Sequence, residues 1–182
     1  MDIVARAKGM ILNPREEWAA VAGETADTKS LLLGYAAPLA AIPAVAGFLA
    51  TLIVFGGRGI FGALVSSIVG YVLGLVGLYV VAKIAEMLAP RFGGMADEPT
   101  AMKLVAYAAT ASWVFGAAVI IPLIGWIVAL FGSLYSLYTF YLGTTPVVRV
   151  PENQAVVYTA AVIVVAIVVN IIIGAVTWLF IG

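Results

Sequence analysis

Chemistry in this chain would have to come from very few side chains. Lysine plus arginine number 9, aspartate plus glutamate number 9, and histidine and cysteine are absent. Without cysteine there is no disulfide, thiol nucleophile or thiolate ligand. Without histidine there is neither an imidazole ligand nor the usual proton shuttle near neutral pH. The acids are scattered and lack the pairing that acid–base catalysis requires. No catalytic, cofactor-binding or metal site is expected, and a formal net charge of zero offers no footprint for nucleic acid.

The remaining polar and small residues offer binding or packing rather than reaction. Asn170 stands between Val169 and Ile171, deep in an uncharged stretch where an unpaired amide is costly. It is expected to face other helices and bond Ser66, Ser67, Thr110, Ser112 or Ser133, or free carbonyls near the prolines, as structural glue or, in the sharper reading, within a small-molecule or ion site. Gly62, Ser66, Gly70 and Gly74 recur every fourth residue, so they line one helix face and permit close backbone approach, within the chain or across a homodimer. Lys83 and Glu86 are placed for an i,i+3 ion pair that snorkels to headgroups, or meets an anionic lipid or a loop. Pro38 and Pro43 withdraw backbone donors from a single helix, as broken helices at substrate sites do, though proline is common in membrane helices. Tyr135, Tyr138 and Tyr141 form a ridge suited to packing and interfacial anchoring. Residues 90–103, with Pro90, Gly93, Gly94 and Pro99, read as a flexible segment able to meet a partner.

Four uncharged runs position these residues: 30–57, 59–82, 104–148 and 153–182. Each exceeds the roughly 20 apolar residues that carry a helix across about 30 Å of hydrocarbon. With 64% hydrophobic residues and a mean hydropathy of +1.16, the chain would be insoluble as a water-exposed globule, so it reads as an integral membrane protein. The run 104–148 would extend roughly 68 Å as one helix, about twice a bilayer, so it must turn back, and Pro122 and Gly125 are the expected hinge. The fold class is therefore an all-α polytopic bundle with spans near 31–55, 60–82, 104–121, 123–143 and 155–181. Residues 1–29 precede it, and 30–182 form the five-span domain.

Cytoplasmic segments retain an excess of lysine and arginine. Eight of the nine cations fall on the side of the N-terminus and only Arg58 on the other, so the N-terminus is expected in the cytoplasm and the C-terminus outside, in a cell (inner) membrane. Tyr35, Tyr107, Tyr141 and Tyr158 fall near inner span ends, and Phe61, Trp126, Trp178 and Phe180 near outer ones, where aromatic rings favour the headgroup layer. No signal peptide is expected, because the first 30 residues carry nine charges. Within them, Ile3, Val4, Ala7, Met10 and Ile11 share one helical face flanked by Arg6 and Lys8, suited either to an anionic leaflet or to the protein's own loops. Asn13, Pro14 and Glu16 have the pattern of a capping box opening a second short helix that presents Trp18, Val21 and Ala22.

Several stretches in order resemble the Yip-one family, five-span proteins named for binding Ypt/Rab GTPases. They are Asn13-Pro14-Arg15-Glu16-Glu17-Trp18, Lys103-Leu104-Val105-Ala106-Tyr107-Ala108, Leu134-Tyr135-Ser136-Leu137-Tyr138 with Tyr141-Leu142-Gly143, and Pro151 with Ala155-Val156-Val157-Tyr158-Thr159. The resemblance implies a helical bundle with a cytoplasmic N-terminus, a role in membrane traffic or lipid organisation, and no enzyme activity. The Asp-Leu-Tyr-Gly-Pro motif of the eukaryotic branch is absent, so GTPase binding does not carry over. The resulting reading is a non-enzymatic membrane scaffold or organiser. Its partners are the bilayer, anionic lipid, a membrane or cytoplasmic protein, or a second copy. A small transporter or channel with a site between the helices is the alternative, disfavoured by the scarcity of ionisable groups inside the spans.

Overall fold

The computed structural model describes residues 2–25, 27–55 and 59–179. Arg58, Phe180 and the C-terminal tail, all used in reading the outer face, lie outside the described residues. Seven helices follow one another: α1 (Ile3–Leu12), α2 (Pro14–Ala22), α3 (Thr28–Val54), α4 (Ile60–Phe92), α5 (Glu98–Ile120), α6 (Gly125–Val148) and α7 (Glu152–Trp178). The last five are long and apolar enough to cross a membrane. Helix is the required solution there, because hydrocarbon supplies no partner for an open backbone N–H or C=O.

The bundle is ordered by how much lipid each span meets. The two least apolar spans, α5 and α6, are the most enclosed by protein: half of the core stretch of α5 is buried, against 11% for α3 and α4. Helix α5 is the central post, touching α3, α4 and α6, while α7 packs along α4 and α6. Every residue from Ala101 to Ala108 is buried. Outer-end aromatics stay exposed, Phe61 by 77%, Trp126 by 62% and Trp178 by 67%, as a headgroup belt requires. Tyr35, Tyr107 and Tyr158 do the opposite of the expectation for interfacial rings: they are 0–3% exposed and form the protein core.

Boundaries differ from the sequence reading at several places: α4 runs on to Phe92 rather than ending near 82, and three others have a local reason. Helix α5 begins at Glu98 rather than near 104, because Asp97 caps it by accepting from the Thr100 N–H at 3.0 Å and Pro99 fits its first turn. That leaves little of the flexible 90–103 segment, and the Met95 N–H pins the remainder by donating to the Val148 carbonyl at 2.8 Å. Helix α6 runs on to Val148, ending where Arg149 takes a left-handed φ of 56°. Asn13 makes no side-chain cap; its own N–H closes α1 on the Gly9 carbonyl while Pro14 opens α2. The prolines of α3 do not break it, since Leu32–Ala36 widens into a π-turn just before Pro38 and the helix continues through Pro43.

The hinge of the long apolar run lies where it was expected, between Ile120 and Gly125, with a different division of labour. The left-handed φ belongs to Leu123, at 69°, and not to the glycine. Gly125 is required for space: a Cβ there would lie 1.9 Å from the Ala118 carbonyl oxygen. Backbone cannot yield as a side-chain tip does, so Gly125→Ala should cost the roughly 1–3 kcal/mol of an overpacked site. Gly74, where an added methyl would meet nothing within 4 Å, is the matched control. Thermal unfolding in detergent should show a lowered midpoint for Gly125→Ala and none for Gly74→Ala; equal midpoints would refute the steric account.

Hydrogen bonds from Ser30 hold the Asp27 carboxyl below the usual range at the start of α3, and those from Thr100 do the same for Asp97. Folded pKa values below the unfolded ones mean that this capping stability is complete above about pH 4 and is lost as pH falls through the lowered folded values. Hydrogen exchange at residues 27–31 and 97–101 should therefore accelerate, relative to mid-α5, between pH 5 and pH 3.

Candidate functional site

The most densely built part of the molecule is the end of the bundle where α1 and α2 dock. Arg6 is the pivot. Its guanidinium donates to Glu17 at 2.6 Å and Glu24 at 2.5 Å and lies over the Tyr107 ring at 5.4 Å. Burial alone would lower its pKa, but Glu24, Tyr107 and Glu17 outweigh that and raise it further. Arg6 is thus an internal ion-pair residue and does not border a lipid-facing stripe. Lys103 is buried too, with Nζ donating to the Val21 carbonyl at 3.0 Å and the Glu24 carbonyl at 2.5 Å, so a cation from α5 satisfies carbonyls at the end of α2.

Aromatic groups complete the dock. Trp18 is 1% exposed and its indole N–H donates to the Thr139 carbonyl of α6 at 2.9 Å. Gly143 makes room for it, since a Cβ would meet the Trp18 ring at 2.8 Å and Leu104 at 2.6 Å. Tyr35 stands edge-on to Tyr107 with centroids 4.7 Å apart and shares a 2.7 Å hydrogen bond with Thr110. Tyr135 donates to the Ile11 carbonyl at 2.7 Å, the one member of the tyrosine ridge that ties α1 to α6. Ala7 and Met10 are buried against this surface, whereas Val4 (62%) and Leu12 (72%) remain exposed, so only part of the apolar arc of α1 packs on protein.

Lys83 and Glu86 do form the i,i+3 pair, at 2.8 Å, and Lys83 also reaches Glu98 at 3.0 Å, which accepts from Tyr79 at 3.2 Å. The pair therefore bridges α4 to α5. Glu98 was not singled out from sequence because its partner lies 15 positions away; an acid beside a helix-opening Asp-x-Pro was the available signal.

Deeper in the membrane, a cleft of about 740 Å³ opens between α3, α4, α5, α6 and α7. Ser66, Gly70, Gly74 and Asn170 all line it, while Gly62 lies beyond it, exposed. The small-residue stripe is thus the floor of an opening: nothing lies within 4 Å of a Cβ at Gly62, Gly70 or Gly74. The close approach expected of it occurs one turn further on, at Gly77, where a Cβ would meet Ile173 at 2.5 Å and Val169 at 3.1 Å. Asn170 departs from expectation as well. It is exposed and donates to its own helix at the Ala166 carbonyl, 2.8 Å away, making no bond to Ser66, Ser67, Thr110, Ser112 or Ser133. An intrahelical i−4 bond takes up one amide hydrogen without a second helix, which depth alone did not reveal. Among the described residues, no aspartate, glutamate, lysine or arginine lines the cleft and no acid, histidine or cysteine cluster is arranged to hold a metal.

Five apolar spans and an N-terminal helical pair clamped to one end of them define a polytopic helical membrane protein. The family model of the Yip1 domain matches residues 8–173, and the chain belongs to that family. No curated protein and no solved structure matches it.

Removing the Trp18 indole should leave a cavity and an unpaired Thr139 carbonyl, for a loss of about 3–5 kcal/mol. Because the spans do not depend on that contact, Trp18→Ala should still insert, with the loss confined to docking of residues 3–22. Limited proteolysis at Lys8 and Arg15 should become fast in the variant; unchanged cleavage would show that Trp18 does not hold the dock.

Proposed function

We propose that the protein is a non-enzymatic scaffold or organiser of the cytoplasmic (inner) membrane, working through the inner face of its bundle. One observation carries this reading. Every described aspartate, glutamate, lysine and arginine lies at a single end of the bundle, in residues 2–29, at the α4–α5 junction or at the α6–α7 junction. Eight cations and nine acids are collected there, which supports placing that end, with residues 1–29, in the cytoplasm and the C-terminus of the 30–182 domain outside.

The face is shaped for association. Its charges are largely consumed internally, as with Arg6, Lys83 and Lys103, while Val4, Leu12, Met87 and Met95 are 62–72% exposed around it. Lys8 stands between Val4 and Leu12 on the outward side of α1, a combination that fits anionic headgroups, at about 1 kcal/mol per cation near the surface. Met87 and Met95, adaptable side chains at the α4–α5 junction, fit a protein partner or a second copy.

The cleft is the specific feature that favours the alternative, a small transporter. Photocrosslinking from Leu12 and from Met87 in native membranes should yield lipid and protein adducts respectively, and a C-terminal reporter should be active only outside the cytoplasm. A cytoplasmic reporter signal would reverse the orientation. Solute flux through liposomes that vanishes when Gly74 is enlarged would displace the scaffold reading in favour of transport.

A further inference from the structure

The cleft has a chemistry that neither packing nor the inner-face reading uses. Its lining draws on all five spans, and its size lies in the range of ligand sites, which run from about 300 to 1,000 Å³. Gly74, Ser133, Leu137 and Asn170 are exposed along its mouth, which places the opening towards lipid.

The polar atoms inside are uncharged and incompletely used. Ser66 and Ser67 have no hydrogen-bond partner among the described residues. Thr51 and Ser133 spend their protons on the Gly47 and Ala129 carbonyls, leaving oxygen lone pairs free. Asn170 spends one amide hydrogen on Ala166 and retains a second, together with its carbonyl oxygen. Donors and acceptors left open at this depth are costly, because hydrocarbon answers neither. No aspartate, glutamate, lysine or arginine among the described residues lines the cleft to balance a charged headgroup.

We propose that the cleft binds an uncharged lipid from the surrounding bilayer that carries a hydroxyl with neighbouring carbonyls, of the diacylglycerol type. Its polar group meets Ser66 and Ser67, and its chains run along the cleft past Leu75, Leu78 and Ile173. The small-residue stripe is what leaves the space.

The test uses the full chain in phosphatidylcholine nanodiscs containing a diacylglycerol with a photoactivatable chain, with a phosphatidylcholine of the same chain as the comparison probe. The diacylglycerol should label cleft residues selectively. Gly70→Leu and Gly74→Leu, whose added side chains meet open space, should remain folded and lose that labelling. Ser66→Ala and Ser67→Ala should each weaken it about threefold, the worth of one membrane hydrogen bond of roughly 0.6 kcal/mol. Equal labelling by the two probes would overturn the proposal, since it would show a chain filling a gap without recognition of the polar group. Labelling spread evenly over lipid-facing residues, or unchanged in both leucine variants, would overturn it too. Crosslinks joining two copies through Asn170→Cys would make the occupant protein and would have the same effect.

Discussion

Hydrocarbon does not hydrogen-bond, and that constraint governs where every polar group in this protein sits. The charged residues collect at one end, and there they are answered by protein as much as by water: Arg6 by two glutamates and a ring, Lys103 by two carbonyls, Lys83 by two further glutamates. Elsewhere in the spans the hydroxyls of Thr51, Ser112, Ser133, Thr139 and Thr177 turn back on carbonyls three or four residues earlier, so these side chains are satisfied within their own helices. The consequence is a bundle whose helices need few polar contacts with one another at depth. Its cohesion must come from somewhere else.

That source is the end covered by α1 and α2, where the buried aromatics are. Trp18, Tyr35, Tyr107 and Tyr158 are large, almost fully enclosed, and each has a hydrogen-bonding or ring partner on another element. A short N-terminal pair of helices covers them, much as a lid helix covers the core of a soluble domain. The protein is therefore densely packed and water-facing at one end, and looser, lined with small residues and lipid-facing through the middle. In the scaffold reading proposed above, this division gives a contact surface rigidified by a core that lipid cannot invade, while lateral openings form without loosening that surface.

The amino-acid sequence makes the spans legible because a bilayer imposes length and apolarity on each of them separately. The hinge at Pro122 and Gly125 and the gathering of charges at one end follow from equally local signals. What escaped is all pairwise and distant. Trp18 with Thr139, and Lys103 with Val21, join positions 121 and 82 residues apart, and nothing in the local pattern distinguishes a tyrosine that anchors at headgroups from one that fills a core. Asn170 shows the converse error, in which depth suggested a distant partner and a neighbour four residues away sufficed.

Glycine spacing illustrates the same limit at its sharpest. Gly70, Gly74 and Gly77 sit on one helix within two turns, yet two of them face open space and the third is pressed against Ile173 and Val169. A repeat of small residues states that a helix face is shallow; whether a neighbour advances into that shallowness depends on the neighbour. Here α7 closes on α4 at Gly77 with Val169 and Ile173, bulky branched side chains that act as a wedge. Branched bulk at the point of contact holds two helices apart beyond it, so the tight crossing and the open cleft are produced by the same pair of residues.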